Sequence, residues 1–124
     1  GDRRPLDIAD YHLSEQEDGL SAPWFGRVWC NPPYGKETFK WMDKLATHGN
    51  GIALIFARTE TKGFHEHIFQ RASVIFFFKG RLAFCKVDGS VGNTANAPSC
   101  LVAYGKKNVE AIYDAGLKGK LVIL

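Results

Sequence analysis

IALIFA (Ile52–Ala57), SVIFFF (Ser73–Phe78) and SCLVAYG (Ser99–Gly105) are runs in which nearly every residue is apolar. A strand with one wet face alternates apolar and polar residues, so a run without polar breaks has to be buried on both faces. Such strands need layers above and below, and the intervening sequence supplies them. From Glu37 onward, Phe39, Met42, Leu45 and Ala46 recur at helical spacing with Trp41 beside them, and Gly49-Asn50-Gly51 stops the helix. A second helix is expected from about Thr61 to Arg71, burying Phe64, Ile68 and Phe69. NVEAIYDAG (Asn108–Gly116) reads as a short helix with Gly116 as its C-cap, and KLVIL (Lys120–Leu124) as a closing strand.

Strands alternating with helices predict an α/β fold whose sheet is mostly parallel, with helices on its faces. RLAFCKV (Arg81–Val87) and SCLVAYG flank a polar loop, Asp88–Pro98, and are expected to form an antiparallel hairpin at one edge. The 124 residues suffice for one domain and not for two. Residues 1–23 are polar and read as an irregular segment. Ser14 with Glu17 makes a capping-box pattern there, but no apolar stripe follows, so at most a short helical turn is expected.

Apolar residues make up 45% and charged residues 23%, the profile of a soluble globular domain. No apolar run is long enough to span a bilayer, which sets membrane functions aside. The net charge of +3 permits a polyanionic partner without requiring one. Cys30, Cys85 and Cys100 show no metal-ligand spacing and read as buried free thiols in a reducing cytoplasm. His65 and His67 lack a third ligand nearby and read as exposed helix residues, so no metal is expected.

The chemistry points to GRVWCNPPYG (Gly26–Gly35). The short strand FGRVWC (Phe25–Cys30) is ended by two prolines, each of which removes a backbone donor and fixes φ. Asn31, wedged between strand and prolines, is held extended. In open α/β sheets ligands bind beyond the carboxyl ends of strands, where Asn31 and Arg58 both fall. A planar exocyclic amine is a poor nucleophile because its lone pair is delocalised into the ring. Acceptors on both of its N–H groups favour a pyramidal nitrogen and stabilise the positive charge that develops as it attacks. The Asn31 side-chain oxygen is one such acceptor, and the Pro32 carbonyl, aimed by the proline pair, is the second. Tyr34 offers a face on which a flipped base can stack, worth about 1–3 kcal/mol.

These residues resemble a known family. NPPY is similar to the catalytic motif of amino-methyltransferases that use S-adenosylmethionine. The wider run resembles the phage-type N-6-adenine DNA methyltransferases: Glu17–Leu20, Trp24–Gly35, Ala57–Glu66 (ARTETKGFHE), Phe78–Phe84 and Ala97–Gly105 match the family's blocks. The resemblance implies a partial Rossmann-like methyltransferase sheet and transfer of a methyl group from S-adenosylmethionine to the N-6 amine of adenine. It implies double-stranded DNA as the partner and a bacterial cytoplasm, host- or prophage-encoded, as the location. Asn31, Pro32 and Tyr34 carry over as amine-binding and base-stacking residues, with Pro33 as the rigid spacer. Arg58, Lys62 and Arg81 are candidates for phosphate or base contacts.

The methyl donor needs a strand, a glycine turn and an acidic residue after the next strand. DGSVGN lies in the hairpin loop, AYGKKNVEA has a lone glycine, and no adequate strand precedes Phe25, so the donor-binding residues are unknown. The chain also opens on Gly1 rather than Met. Residues 1–124 are therefore expected to be a single domain, the carboxyl-terminal part of a class I methyltransferase fold, with the main donor pocket outside it. The Arg27–Cys30 strand would then expose an edge, and a homodimer or another cover for it is expected. Two other readings stay open. One is a catalytically silent DNA-binding fragment. The other is an NPPY methyltransferase acting on protein glutamine or RNA guanine.

Overall fold

The computed structural model describes residues 11–13, 20, 23–33, 35–80, 83–85, 91–94 and 97–124; at 11–13, 83–85 and 91–94 only the backbone is described. The elements in order are β1 (Tyr11–Leu13), β2 (Val28–Cys30), α1 (Thr38–His48), β3 (Gly51–Phe56) and α2 (Lys62–Phe64), which widens into a π-helical turn (His65–Phe69). β4 (Val74–Phe78), β5 (Ala83–Cys85), β6 (Val91–Thr94), β7 (Ser99–Tyr104), α3 (Lys106–Asp114) and β8 (Gly119–Ile123) follow.

Six strands form one sheet in the order β1-β2-β3-β7-β4-β8, and β5 pairs with β6 in a separate ribbon. The apolar runs sort by parity onto two cores. Ala53, Ile55, Ile75, Cys100, Val102 and Tyr104 face α1 and the π turn, and pack on Met42, Leu45, Phe64 and Ile68. Ile52, Val74, Phe76, Leu101 and Ala103 face the other way, onto Ile112 of α3. A side chain the size of Leu45 or Phe64, both fully buried, contributes about 1.5–3 kcal/mol.

The predicted α1 is present, with Trp41, Met42 and Leu45 buried. It ends where Gly49 takes φ 76°, a left-handed cap that lets its N–H reach the Leu45 carbonyl at 2.8 Å. The second predicted helix leaves α geometry after Phe64, where the Gln70 N–H reaches the His65 carbonyl at 3.3 Å. Phe64 and Ile68 are buried and Phe69 partly so. Arg71 ties this turn to α1, donating to Asp43 Oδ1 at 2.6 Å and Thr47 Oγ1 at 3.0 Å. At such exposure the pair is worth less than about 1 kcal/mol.

The sheet is not mostly parallel. β1-β2 and β2-β3 are parallel, whereas β3-β7, β4-β7 and β4-β8 are antiparallel. β3 and β4 still point the same way; the reversed β7 wedges between them. The expected edge hairpin is corrected for the same reason. SCLVAYG lies in the sheet interior with all six strand residues buried, and β5 pairs instead with β6, a strand within the loop read as irregular.

Within residues 1–23, read as irregular, Tyr11–Leu13 forms β1 and pairs with Val28–Cys30 in parallel register. The edge of β2, for which a homodimer or another cover is expected, is covered by the chain's own β1. Ser14 and Glu17 lie outside the described residues. β2 is shorter than predicted, and Phe25 stands 64% exposed before it.

Candidate active site

β2 delivers the chain to the carboxyl end of the sheet. Cys30 and Pro32 are buried on either side of Asn31, which is exposed, so the backbone is anchored while the amide projects. Pro33 is half-buried, and Tyr34 lies outside the described residues. α1 begins without a side-chain cap. Its first residue, Thr38, turns its hydroxyl back instead and donates to the Pro33 carbonyl at 2.7 Å. Its N–H reaches the Gly35 carbonyl at 3.3 Å. The proline loop is therefore pinned to the helix. Among the described residues, none donates to the Pro32 carbonyl and none hydrogen-bonds the Asn31 side chain.

Beside this loop opens a cleft of about 320 Å³, lined by Gly35, Thr38, Phe39, Phe56, Arg58 and Thr61. Small-molecule sites start at about 300 Å³. Its walls come from the start of α1, the end of β3 and the turn into α2. Phe39 and Phe56 supply aromatic surface. The Arg58 guanidinium stands 5.7 Å from the Phe56 ring centroid, and such a cation–π contact restrains it. The Thr61 hydroxyl donates to the Arg58 carbonyl at 2.8 Å and accepts from the Phe64 N–H at 3.4 Å, capping α2 and fixing the turn.

Phe39 is held from below. Gly63 approaches it so closely that a Cβ there would fall 2.4 Å from the ring. On another side the ring stacks on His67 at 6.3 Å. His67, expected to be exposed, is half-buried, with Asp43 Oδ1 at 3.8 Å. Its carbonyl accepts from the Tyr104 hydroxyl at 2.5 Å. Burial pushes the Tyr104 pKa up, so this hydroxyl stays a donor.

Of the residues predicted from sequence, the structure brings Asn31, Pro32, Pro33 and Arg58 to one end of the sheet. Lys62 is exposed beyond the cleft, with its ammonium 3.7 Å from Glu66. Arg81, like Tyr34, lies outside the described residues. Sequence reasoning missed Thr38, Phe39, Phe56 and Thr61. Phe39 and Phe56 read as core positions of their elements, and the signal that was available is adjacency: Phe39 stands at the start of α1 just after the loop that holds Asn31, and Phe56 ends β3 just before Arg58. Cys30 and Cys100 are buried free thiols, each pushed up to about 12 by burial, and take no part in the cleft. The Cys85 side chain lies outside the described residues.

S-adenosylmethionine, the donor expected from the motif, finds no cradle among the described residues. The lone-glycine turn at Gly105 follows β7, whose end Tyr104 pairs with Gly51 at the start of β3. That is the opposite end of the sheet from Asn31. Val91–Thr94 of DGSVGNT is strand β6, and a ladder occupies its backbone.

No described helix is long and apolar enough to cross a membrane, and no three described His, Cys, Asp or Glu residues group to hold a metal. Comparison with curated proteins and with solved structures found no match. The model of the DNA N-6-adenine-methyltransferase (Dam) family matches residues 7–114, a span that holds the proline loop and every wall of the cleft, and the chain belongs to that family.

Proposed function

We propose that the chain transfers a methyl group to the N-6 amine of adenine in double-stranded DNA, with S-adenosylmethionine as donor. In this reading the cleft between the proline loop and Arg58 takes the flipped base. The observation that carries it is an exposed amide, Asn31, and a proline carbonyl, Pro32. Both are held by a loop pinned through Thr38, and both are unengaged among the described residues. The Asn31 oxygen and the Pro32 carbonyl each accept one amine N–H. That grip draws the nitrogen out of conjugation and stabilises the charge it acquires. Phe39 and Tyr34 offer stacking faces for the purine, and Arg58 and Lys62, with Arg81, contact phosphate or base edges. The described residues do not cradle the donor, and the roles above belong to the chain's own side chains and backbone.

The fold supports the same reading. β2, β3 and β4 point one way, and their carboxyl ends share one rim, the place a Rossmann-like sheet keeps its chemistry. The test is incubation of the chain with isotopically labelled donor and adenine-containing duplex, with glutamine peptide and guanine-containing RNA in parallel. Label entering only DNA, and lost in Asn31→Ala, is expected. Label entering peptide or RNA instead refutes the substrate. That no cradle forms among the described residues favours one second reading, a silent DNA-binding chain. It predicts duplex binding with no label transferred at any donor concentration.

A further inference from the structure

The family match ends at residue 114, yet the fold does not. β8 completes the sheet against β4, with Phe77 opposite Lys120 and Phe78 opposite Gly119, and the Lys79 N–H reaches the Lys118 carbonyl at 3.1 Å. β8 is antiparallel to β4, so it begins at the rim where β2, β3 and β4 end. Along that rim four of the strands contribute cations: Lys36 after β2, Arg58 after β3, Lys79 after β4, and Lys118 and Lys120 at β8, with β7 between β3 and β4 contributing none. All five are exposed, and none has an ion-pair partner among the described residues. Two acids of the same rim, Glu37 and Glu66, are tied to Lys40 and Lys62; Glu60 follows Arg58 in the turn.

Lysines on an edge strand also serve to discourage pairing with other chains. The distribution along β8 argues against that as their reason here. The far half of the strand, Leu121–Ile123, carries no charged side chain, although Ile123 is 79% exposed. The cations stand only at the rim. Phe77 belongs to the core beneath α1 and the π turn. Lys120, directly opposite it, therefore leaves the sheet on the face that also carries those helices.

Resting on the reading of the cleft as the adenine site, we propose that Lys79, Lys118 and Lys120 hold the phosphate backbone of the same DNA on one flank of the target base. Neighbouring strands lie about 4.8 Å apart, so β8 stands four spacings, about 19 Å, from β2. A duplex laid along the rim advances about 3.4 Å per base pair, which places this contact about six base pairs from the flipped adenine. The segment beyond the family match thus sets where the duplex lies and leaves the chemistry alone.

The test is anisotropy of a fluorescent adenine-containing duplex, titrated between 50 and 200 mM salt, without donor. Each phosphate contact adds about 0.9 to the slope of log affinity against log salt. Lys118→Gln with Lys120→Gln should lower that slope by about 1.8. Lys79→Gln alone should lower it by about 0.9, an independent reading if the double variant melts early by circular dichroism. Lys106→Gln with Lys107→Gln, the same charge change at the opposite end of the sheet, should leave the slope unchanged. Equal losses for both pairs, or no loss in the β8 pair and Lys79→Gln, overturn the inference while leaving the cleft in place. A wild-type chain that does not bind the duplex overturns the cleft reading and this one together.

Discussion

Replacing Gly63 by alanine probes the cleft from behind, without replacing a residue that lines it. An ideal Cβ at Gly63 lies 2.4 Å from both Cγ and Cδ2 of Phe39 and 2.8 Å from Cε2. Ordinary contact begins near 3.4 Å, so the ring has to retreat by about 1 Å, and overpacking of this kind costs about 1–3 kcal/mol. Against that, alanine recovers up to about 1 kcal/mol of helix propensity in the first turn of α2. The net expectation is a loss of about 1 kcal/mol, which in a chain of this size lowers Tm by about 4 °C. The stacking of Phe39 on His67 limits the direction of retreat, so the ring moves into the cleft and narrows it. Circular dichroism melts of G63A, F39L and the double variant give the coupling. In the F39L background the ring is gone and G63A should be neutral or stabilising, a coupling of about 1 kcal/mol or more. If G63A stabilises the wild-type background by the same amount as the F39L background, Phe39 is not held there and this account of the cleft wall is wrong.

Thr38→Val removes the hydroxyl that pins the Pro33 carbonyl; it should cost about 1 kcal/mol in urea unfolding and reduce methylation more than it reduces duplex affinity. Asn31→Ala, at an exposed position, should leave Tm within about 1 °C of wild type while labelled methyl transfer disappears. A fall of several degrees would mean that the amide supports the fold. In a Cys85→Ser background, Cys30 and Cys100 should stay inert to a thiol-specific disulfide reagent at pH 8 and react at once in urea. Their pKa values are raised from 9.0 to about 12 by burial, so the unfolded chain ionises first. Stability should hold below pH 9 and fall between pH 9 and 12, as read by urea midpoints across that range.

The parts of the fold that depend on local rules were legible. Helix α1 announces itself by Phe39, Met42 and Leu45 and by the cap at Gly49. The strands β3, β4 and β7 announce themselves as unbroken apolar runs. Those same runs conceal direction and neighbours: a strand buried on both faces has no pattern that says which strand it joins, or which way it points. That is why SCLVAYG reads as an edge strand in the sequence and yet lies in the interior. The π turn at His65–Phe69 escaped because one extra residue in a helical turn barely disturbs the spacing of Phe64 and Ile68. β6 and β1 escaped because Val91–Thr94 and Tyr11–Leu13 are too short to show a period. At the site, Asn31 and Arg58 were legible from their place after strands. The hydroxyls of Thr38 and Thr61 were not, since both look like ordinary residues at helix starts until the loops they pin are in place.

The reversed strand β7 has a consequence for synthesis. A ribosome delivers β3 and β4 first, and each emerges with an unpaired apolar edge facing the gap that only Ser99–Tyr104 can fill. Until that late segment leaves the exit tunnel, β3 and β4 have nothing between them. The nascent chain therefore carries two sticky borders for the time it takes to add some twenty residues, about one to four seconds at typical bacterial speeds. Vectorial folding is closed to such an arrangement. The sheet forms only after the wedge arrives, as a single event that is slow for so small a protein, and a stop codon before Ser99 would release a chain prone to clump.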